Sequence, residues 1–134
     1  MAKRKEYFVR LTETVLKSPA YRDLKPPARA LLIEFMLIYR PSRNGRLTIG
    51  TATAQALINA SEKVTDRAFY ELSEHGFIKL KKHHSWTTKK GREWAITFEK
   101  ANEHEPTNDF LRWTKGKNEN VHPELFRPKW LRQK

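Results

Sequence analysis

Residues 50–78 read GTATAQALINASEKVTDRAFYELSEHGFI, and the fold turns on this stretch. Gly50-Thr51 can open a helix whose inward positions are Ala54, Leu57 and Ile58. Asn59-Ala60 then makes a turn, because asparagine tolerates the left-handed backbone such a turn needs. Ser61 is a strong N-cap, and Glu62 sits in the first turn, where a carboxylate meets the positive end of the helix dipole. The second helix runs to about His75, and Gly76 closes it at the C′ position. Its apolar face is Thr65, Ala68, Phe69 and Leu72, so Glu62, Lys63, Val64, Asp66, Arg67 and Tyr70 lie mostly outward.

On the C-terminal side, two segments alternate with period two. Phe77-Ile78-Lys79-Leu80-Lys81 is the first, and residues 92–98 are the second, with Trp94, Ile96 and Phe98 inward. They predict a hairpin with one buried face, closed by the polar loop 82–91. From Lys79 to Arg92 there are six basic residues and no acid. On the N-terminal side, Thr12 or Thr14 can start a short helix through Leu16 that Pro19 interrupts. Pro26-Pro27 opens a longer one, since proline is favoured in a first turn. Leu31, Leu32, Phe35, Met36 and Tyr39 form its buried stripe. Pro41 and Asn44-Gly45 end it, and Leu47-Thr48-Ile49 is a short extended piece. Beyond Ala101 a polar linker leads to Asp109-Phe110-Leu111-Arg112-Trp113, an aromatic cluster expected to pack back on the domain.

The chain has 134 residues, 38% of them hydrophobic, which suits one modest core. It has no cysteine, which excludes disulfides and thiolate metal sites. No run approaches the ~20 apolar residues of a membrane span and no apolar signal segment follows the basic N-terminus, so a cytoplasmic protein is expected. Lys and Arg number 27 against 15 Asp and Glu, a net charge of +12. Residues 1–10 carry a net +3 and residues 115–134 a net +4. Such a surplus points to a polyanion, with a nucleoid-associated location. The organisation expected is a basic N-terminal arm (1–10), one domain (11–113) and a basic C-terminal tail (114–134).

The order helix, helix, short strand, helix, turn, helix, strand, basic loop, strand is that of an α+β winged helix-turn-helix: a three-helix core plus a β-hairpin wing. Through Leu47-Thr48-Ile49, Ala54 to Ser61, and Arg67-Ala68-Phe69-Tyr70-Glu71-Leu72-Ser73-Glu74-His75-Gly76-Phe77-Ile78, the sequence resembles bacterial winged helix-turn-helix regulators. Over roughly residues 8–113 it is similar to small bacterial proteins of this class. The similarity runs through residues 16–24, Pro27-Ala28-Arg29-Ala30-Leu31-Leu32, Asn44-Gly45-Arg46-Leu47 and residues 109–113. It implies a DNA-binding transcriptional regulator, often carried on plasmids or other mobile elements. The chain departs from the pattern at Asn59, where a turn glycine is usual, and in the tail from Lys115.

On this reading Ser61, Glu62, Lys63, Val64, Arg67 and Tyr70 belong to the recognition helix. Arg67 is the candidate for a bidentate contact with guanine, worth roughly 1–3 kcal/mol of discrimination; the competing role is an ion pair with Glu71 four residues on. The competing role of Lys63 is that of a solvated surface lysine; Glu62 can accept from cytosine, but its first-turn position favours a dipole partner. Lys81, Lys82, His83, His84, Lys89, Lys90 and Arg92 would serve phosphates. Trp86 is either an exposed wedge at the hairpin tip or folds onto its base. Gly50 and Thr51 can offer backbone N–H groups to a phosphate.

No enzyme is expected. His83-His84 is an adjacent pair on opposite strand faces, no His-Glu-x-x-His or phosphate-loop spacing exists, and neither a metal nor a cofactor is predicted. The partner expected is double-stranded DNA, bound by a homodimer or several copies side by side, with the first helices or the tail as the interface. Two alternatives remain: an accessory DNA-binding protein of replication or mobile elements, and a protein-binding adaptor using Phe110, Leu111, Trp113, Phe126, Trp130 and Leu131.

Overall fold

Thr12 accepts the backbone N–H of Val15 and thereby starts α1 (Glu13–Lys17). Ser18 accepts in the same way from Tyr21, so α2 (Pro19–Asp23) begins immediately after it. Pro19 therefore opens a helix as well as ending one, since its missing N–H falls where no intrahelical partner exists. Pro26 likewise opens α3 (Pro26–Ile38), which buries Ala28, Leu31, Leu32, Phe35 and Met36. Tyr39 lies just beyond as the C-cap, half-buried, with its hydroxyl donating to Lys100 O at 2.8 Å. A 3-10 turn over Pro41–Arg43 and a left-handed Gly45 then reverse the chain.

The structure, a computed structural model, describes residues 6–82 and 91–117. Among them the architecture is α+β, with five helices and one two-stranded antiparallel hairpin, an arrangement compatible with a winged helix. Beyond the three helices expected of the core, α1 and α2 form a short helical pair ahead of α3.

After the bend come α4 (Thr51–Ile58) and α5 (Glu62–Glu74), followed by β1 (Ile78–Lys82) and β2 (Glu93–Ile96). Ile78 pairs with Ile96 and Leu80 with Trp94, and the register slips between Leu80 and Lys82. Such a bulge bends a strand and sharpens its twist. Leu47 adds a one-residue bridge to the other edge of β2: its N–H donates to Trp94 O at 3.0 Å and its carbonyl accepts from Trp94 N at 2.7 Å. A last 3-10 turn, Asp109–Arg112, returns to α2.

The core lies between α3, α5 and the inner face of the hairpin. Trp94 stacks on Phe69 with centroids 5.9 Å apart, and Phe35 meets both edge-on. Each fully buried large side chain here contributes on the order of 1.5–3 kcal/mol. A second aromatic group joins Phe77, stacked 5.2 Å from Phe110, with Phe98 edge-on to both. The cluster at residues 109–113 thus packs back through Phe110, which is buried, while Leu111 is exposed. One inward assignment is corrected on α4. Ala54 is buried, but Leu57 is half-exposed, because so short a helix turns only a narrow face toward α3 and α5.

Candidate nucleic-acid interface

Asn59 ends α4 with φ 53° and ψ 55°, the left-handed conformation its short polar side chain tolerates. Ser61 follows as N-cap of α5, its hydroxyl accepting the Val64 N–H at 3.2 Å. Thr65, Ala68, Phe69 and Leu72 are buried, as their spacing predicts. The opposite side of the same turns carries Ser61, Glu62, Lys63, Val64 and Arg67, all exposed. Tyr70, one turn on, is half-buried; burial, and then the nearby Glu74 charge, push its phenol above its usual pKa. Gly50 is the exposed N-cap of α4, with Thr51 as its first helical residue. The start of α5 therefore presents a donor, an acceptor and an apolar group on a cylinder about 10–12 Å across, a fit to a groove about 12 Å wide.

Lys79 and Lys81 alternate with buried Ile78 and Leu80 and project from the outer face of β1, with Lys82 beyond them. Lys79 belongs to the same outer row, because period-two alternation places it beside Lys81. Arg92 is held differently from these lysines. Its guanidinium lies 4.7 Å from the Phe69 ring centroid and 5.4 Å from that of Trp94. Burial, opposed by the Asp66 carboxylate, pushes its pKa down to about 10. Arg92 thus ties the hairpin base to α5. His83, His84, Trp86, Lys89 and Lys90 lie outside the described residues, as do residues 1–5 and 118–134.

Glu71, the candidate partner of Arg67, accepts the backbone N–H of Lys25 at 2.8 Å. It thereby satisfies the backbone N–H of Lys25, the N-cap residue of α3, which has no side-chain cap of its own. Between α5, Lys25 and the C-terminal segment lies a cleft of about 490 Å³ whose lining includes Arg67, Tyr70 and His75.

Two further clusters have no local signal in the sequence. The Asn44 amide bridges three carbonyls and one N–H around the end of β2. His75 joins α5 to Asp23, 52 residues away in sequence, and to Trp113. Among the described residues no group of three metal-ligating side chains is placed to hold an ion, and no helix is long and apolar enough to cross a membrane.

No family model, curated protein or solved structure matches this chain. The candidate roles of its residues follow from their own placement and chemistry.

Proposed function

We propose that this chain is a sequence-specific binder of double-stranded DNA, a winged helix-turn-helix regulator of transcription. The N-terminal turns of α5 enter the major groove. Arg67 reads a guanine, with Ser61, Glu62, Lys63 and Val64 over the neighbouring base edges and Tyr70 at their margin. The lysines of the hairpin take phosphates of the adjacent backbone, and the N-terminus of α4 at Gly50 and Thr51 takes another. One such domain covers limited DNA, so a homodimer or several adjacent copies act together at repeated half-sites. The location that goes with this role is the cytoplasm, on the nucleoid.

One observation carries the reading. On the first turns of α5, Lys63, Val64 and Arg67 project outward where Thr65, Ala68 and Phe69 are buried, in a chain whose net charge is +12. A helix held rigidly along one side with a mixed donor, acceptor and methyl surface on the other is suited to reading base edges.

Fluorescence anisotropy with duplex from the gene's own upstream region, against scrambled duplex at several salt concentrations, tests it. The native duplex is expected to bind at least about tenfold more tightly, with log affinity falling by about 0.9 per phosphate contact for each decade of salt. Arg67→Ala is expected to erase the margin. Equal affinity for both duplexes would identify a non-specific binder, and no binding at low salt would overturn the DNA reading.

A further inference from the structure

His75 ends α5 as its C-cap and is only 5% exposed. Its ring meets oxygen on both sides. Nδ1 lies 2.9 Å from Glu71 O and 2.6 Å from Glu74 Oε2, and Nε2 lies 2.8 Å from Asp23 Oδ2. A backbone carbonyl can only accept, and an ionised carboxylate likewise only accepts. A neutral imidazole donates from one nitrogen and presents a lone pair at the other, so this arrangement is satisfied in full only by the imidazolium.

The flat face of the same ring carries Trp113, stacked at 4.5 Å between centroids with planes 15° apart. The Trp113 indole N–H donates to the Glu74 carboxylate, 3.1 Å from each oxygen. Lys115 Nζ lies 3.5 Å from Asp23 Oδ1. Trp113 and Lys115, just after the last 3-10 turn, are therefore held to α5 and α2 through the carboxylates that hold the histidine. The charged and titratable groups that line the cleft beside His75 are Asp23 from α2, Lys25 ahead of α3, Arg67, Tyr70, Glu71 and Glu74 from α5, and Lys115.

We infer that His75 is a proton-operated clasp: as the imidazolium it locks Trp113 and the stretch through Lys115 onto α2 and α5, and on losing its proton it loosens them. The loss leaves one nitrogen lone pair facing an acceptor and removes the positive charge between Asp23 and Glu74. It also weakens the stack, because a cationic ring over an indole face gains an attraction that a neutral ring lacks. Burial alone would lower the pKa of this ring, but the hydrogen bonds it donates to Glu74 and Asp23, with the attraction of their charges, outweigh burial and raise the value above the ordinary one. Asp23 moves the opposite way, held below its usual pKa by its hydrogen bond to His75. The switching range thus lies on the alkaline side of about 6.5, the ordinary histidine value.

Nuclear magnetic resonance of the full chain tests this, following the His75 ring carbons and the Trp113 indole N–H from pH 5 to 9.5, with Trp113→Phe to assign the indole signal. The expected result is a His75 midpoint above about 6.5, with the indole resonance moving toward its free position at the same midpoint. Asp23→Asn is expected to lower both midpoints together by about one pH unit. In His75→Gln the indole inflection is expected to vanish. A His75 midpoint at or below the ordinary value, or an indole signal that stays flat through the His75 titration, would overturn the clasp.

Discussion

Asn44 is hydrogen-bonded to Ile96 through both halves of its amide: Nδ2 donates to Ile96 O at 2.9 Å, and Oδ1 accepts from Ile96 N at 2.7 Å. A side chain here copies the pairing of a β-strand at the outer edge of β2, where Leu47 supplies only one bridge. Nδ2 also donates to Glu99 O and Lys100 O, at 3.1 and 3.2 Å. Asn44→Ala leaves the Ile96 N–H without a partner and is expected to destabilise the fold by about 2–3 kcal/mol. Asn44→Asp keeps an acceptor for that N–H but sets a carboxylate against three carbonyls, so it should do no better. Urea unfolding checks both, and a loss under about 0.5 kcal/mol for Asn44→Ala would refute this bridging role.

Gly76 is needed for two separate reasons. Its φ is +84°, and a Cβ there would come within 2.8 Å of the backbone of Asp109 and Phe110. Gly45 has φ +104° but open space around it. Gly45→Ala is expected to lose about 1–2 kcal/mol through backbone strain alone. Gly76→Ala adds a collision with chain that cannot swing aside, so about 3 kcal/mol or more is expected. Denaturant midpoints of the two variants should separate clearly; equal losses would mean that the 3-10 turn yields readily.

Why one part of the molecule could be read from sequence and another could not is visible in these residues. Ser61, Asn59, the helix-ending role of Gly76 and the buried face of α5 act within a turn or two of the chain, so type and spacing reveal them; the approach of Asp109 and Phe110 to Gly76 does not. Pro26 and the alternation of β1 are legible for the same reason. Asn44 read as a turn residue because its partners, Ile96, Glu99 and Lys100, lie more than fifty positions away. His75 read as the end of a helix because Asp23 and Trp113 meet it only after folding. Leu57 was misplaced by a period rule that counts positions without knowing how little of an eight-residue helix is covered. Among the candidate DNA contacts, exposure on α5 and β1 followed the periodicities. The engagement of Arg92 with Phe69 depended on tertiary packing.

The turn between α4 and α5 gives a prediction about an unusual choice of residue. Asn59 stands at a left-handed position where glycine would carry no strain. Asn59→Gly should leave stability within about 0.5 kcal/mol of the starting protein, whereas Asn59→Ala should lose about 1 kcal/mol or more. Ser61→Ala should lose about 1 kcal/mol by leaving the Val64 N–H uncapped. Thermal unfolding of the three variants distinguishes backbone strain from cap loss. A stable Asn59→Ala would argue that the turn adopts another conformation in solution.

Arg92 and Lys82 bracket the edge of the hairpin loop, yet they should fail in opposite ways. The Arg92 guanidinium lies over Phe69 and Trp94, so Arg92→Ala is expected to lower stability by about 1–2 kcal/mol. Lys82 is exposed at the end of β1, and Lys82→Ala should shift unfolding by no more than about 0.5 kcal/mol. On the proposed function, Lys82→Ala should flatten the salt dependence of DNA affinity by about 0.9, one phosphate contact, while Arg92→Ala leaves that slope unchanged. Paired titrations of salt and urea check this, and a flatter slope for Arg92→Ala would move that residue into the interface.

The His75 cluster also makes stability depend on pH in a direction that follows from its shifts. A group whose pKa is raised on folding stabilises fully below its unfolded value, and that contribution is lost as pH climbs through the folded value. His75 is such a group, so its part is complete below about 6.5 and fades on the alkaline side. Asp23 is lowered, chiefly by its hydrogen bond to His75, so its part is complete above about 3.9 and is lost on acidification through its folded value. Both contributions coexist between those limits. The stability difference between the starting protein and His75→Gln should therefore be largest near pH 5–6 and shrink steadily toward pH 9. Lys115 also holds Asp23, so some of the Asp23 contribution should survive in the variant. Urea unfolding of both proteins at pH 5.5, 7 and 8.5 measures the difference directly. A gap that stays constant across that range would show that the histidine acts by packing against Trp113 and not by its charge.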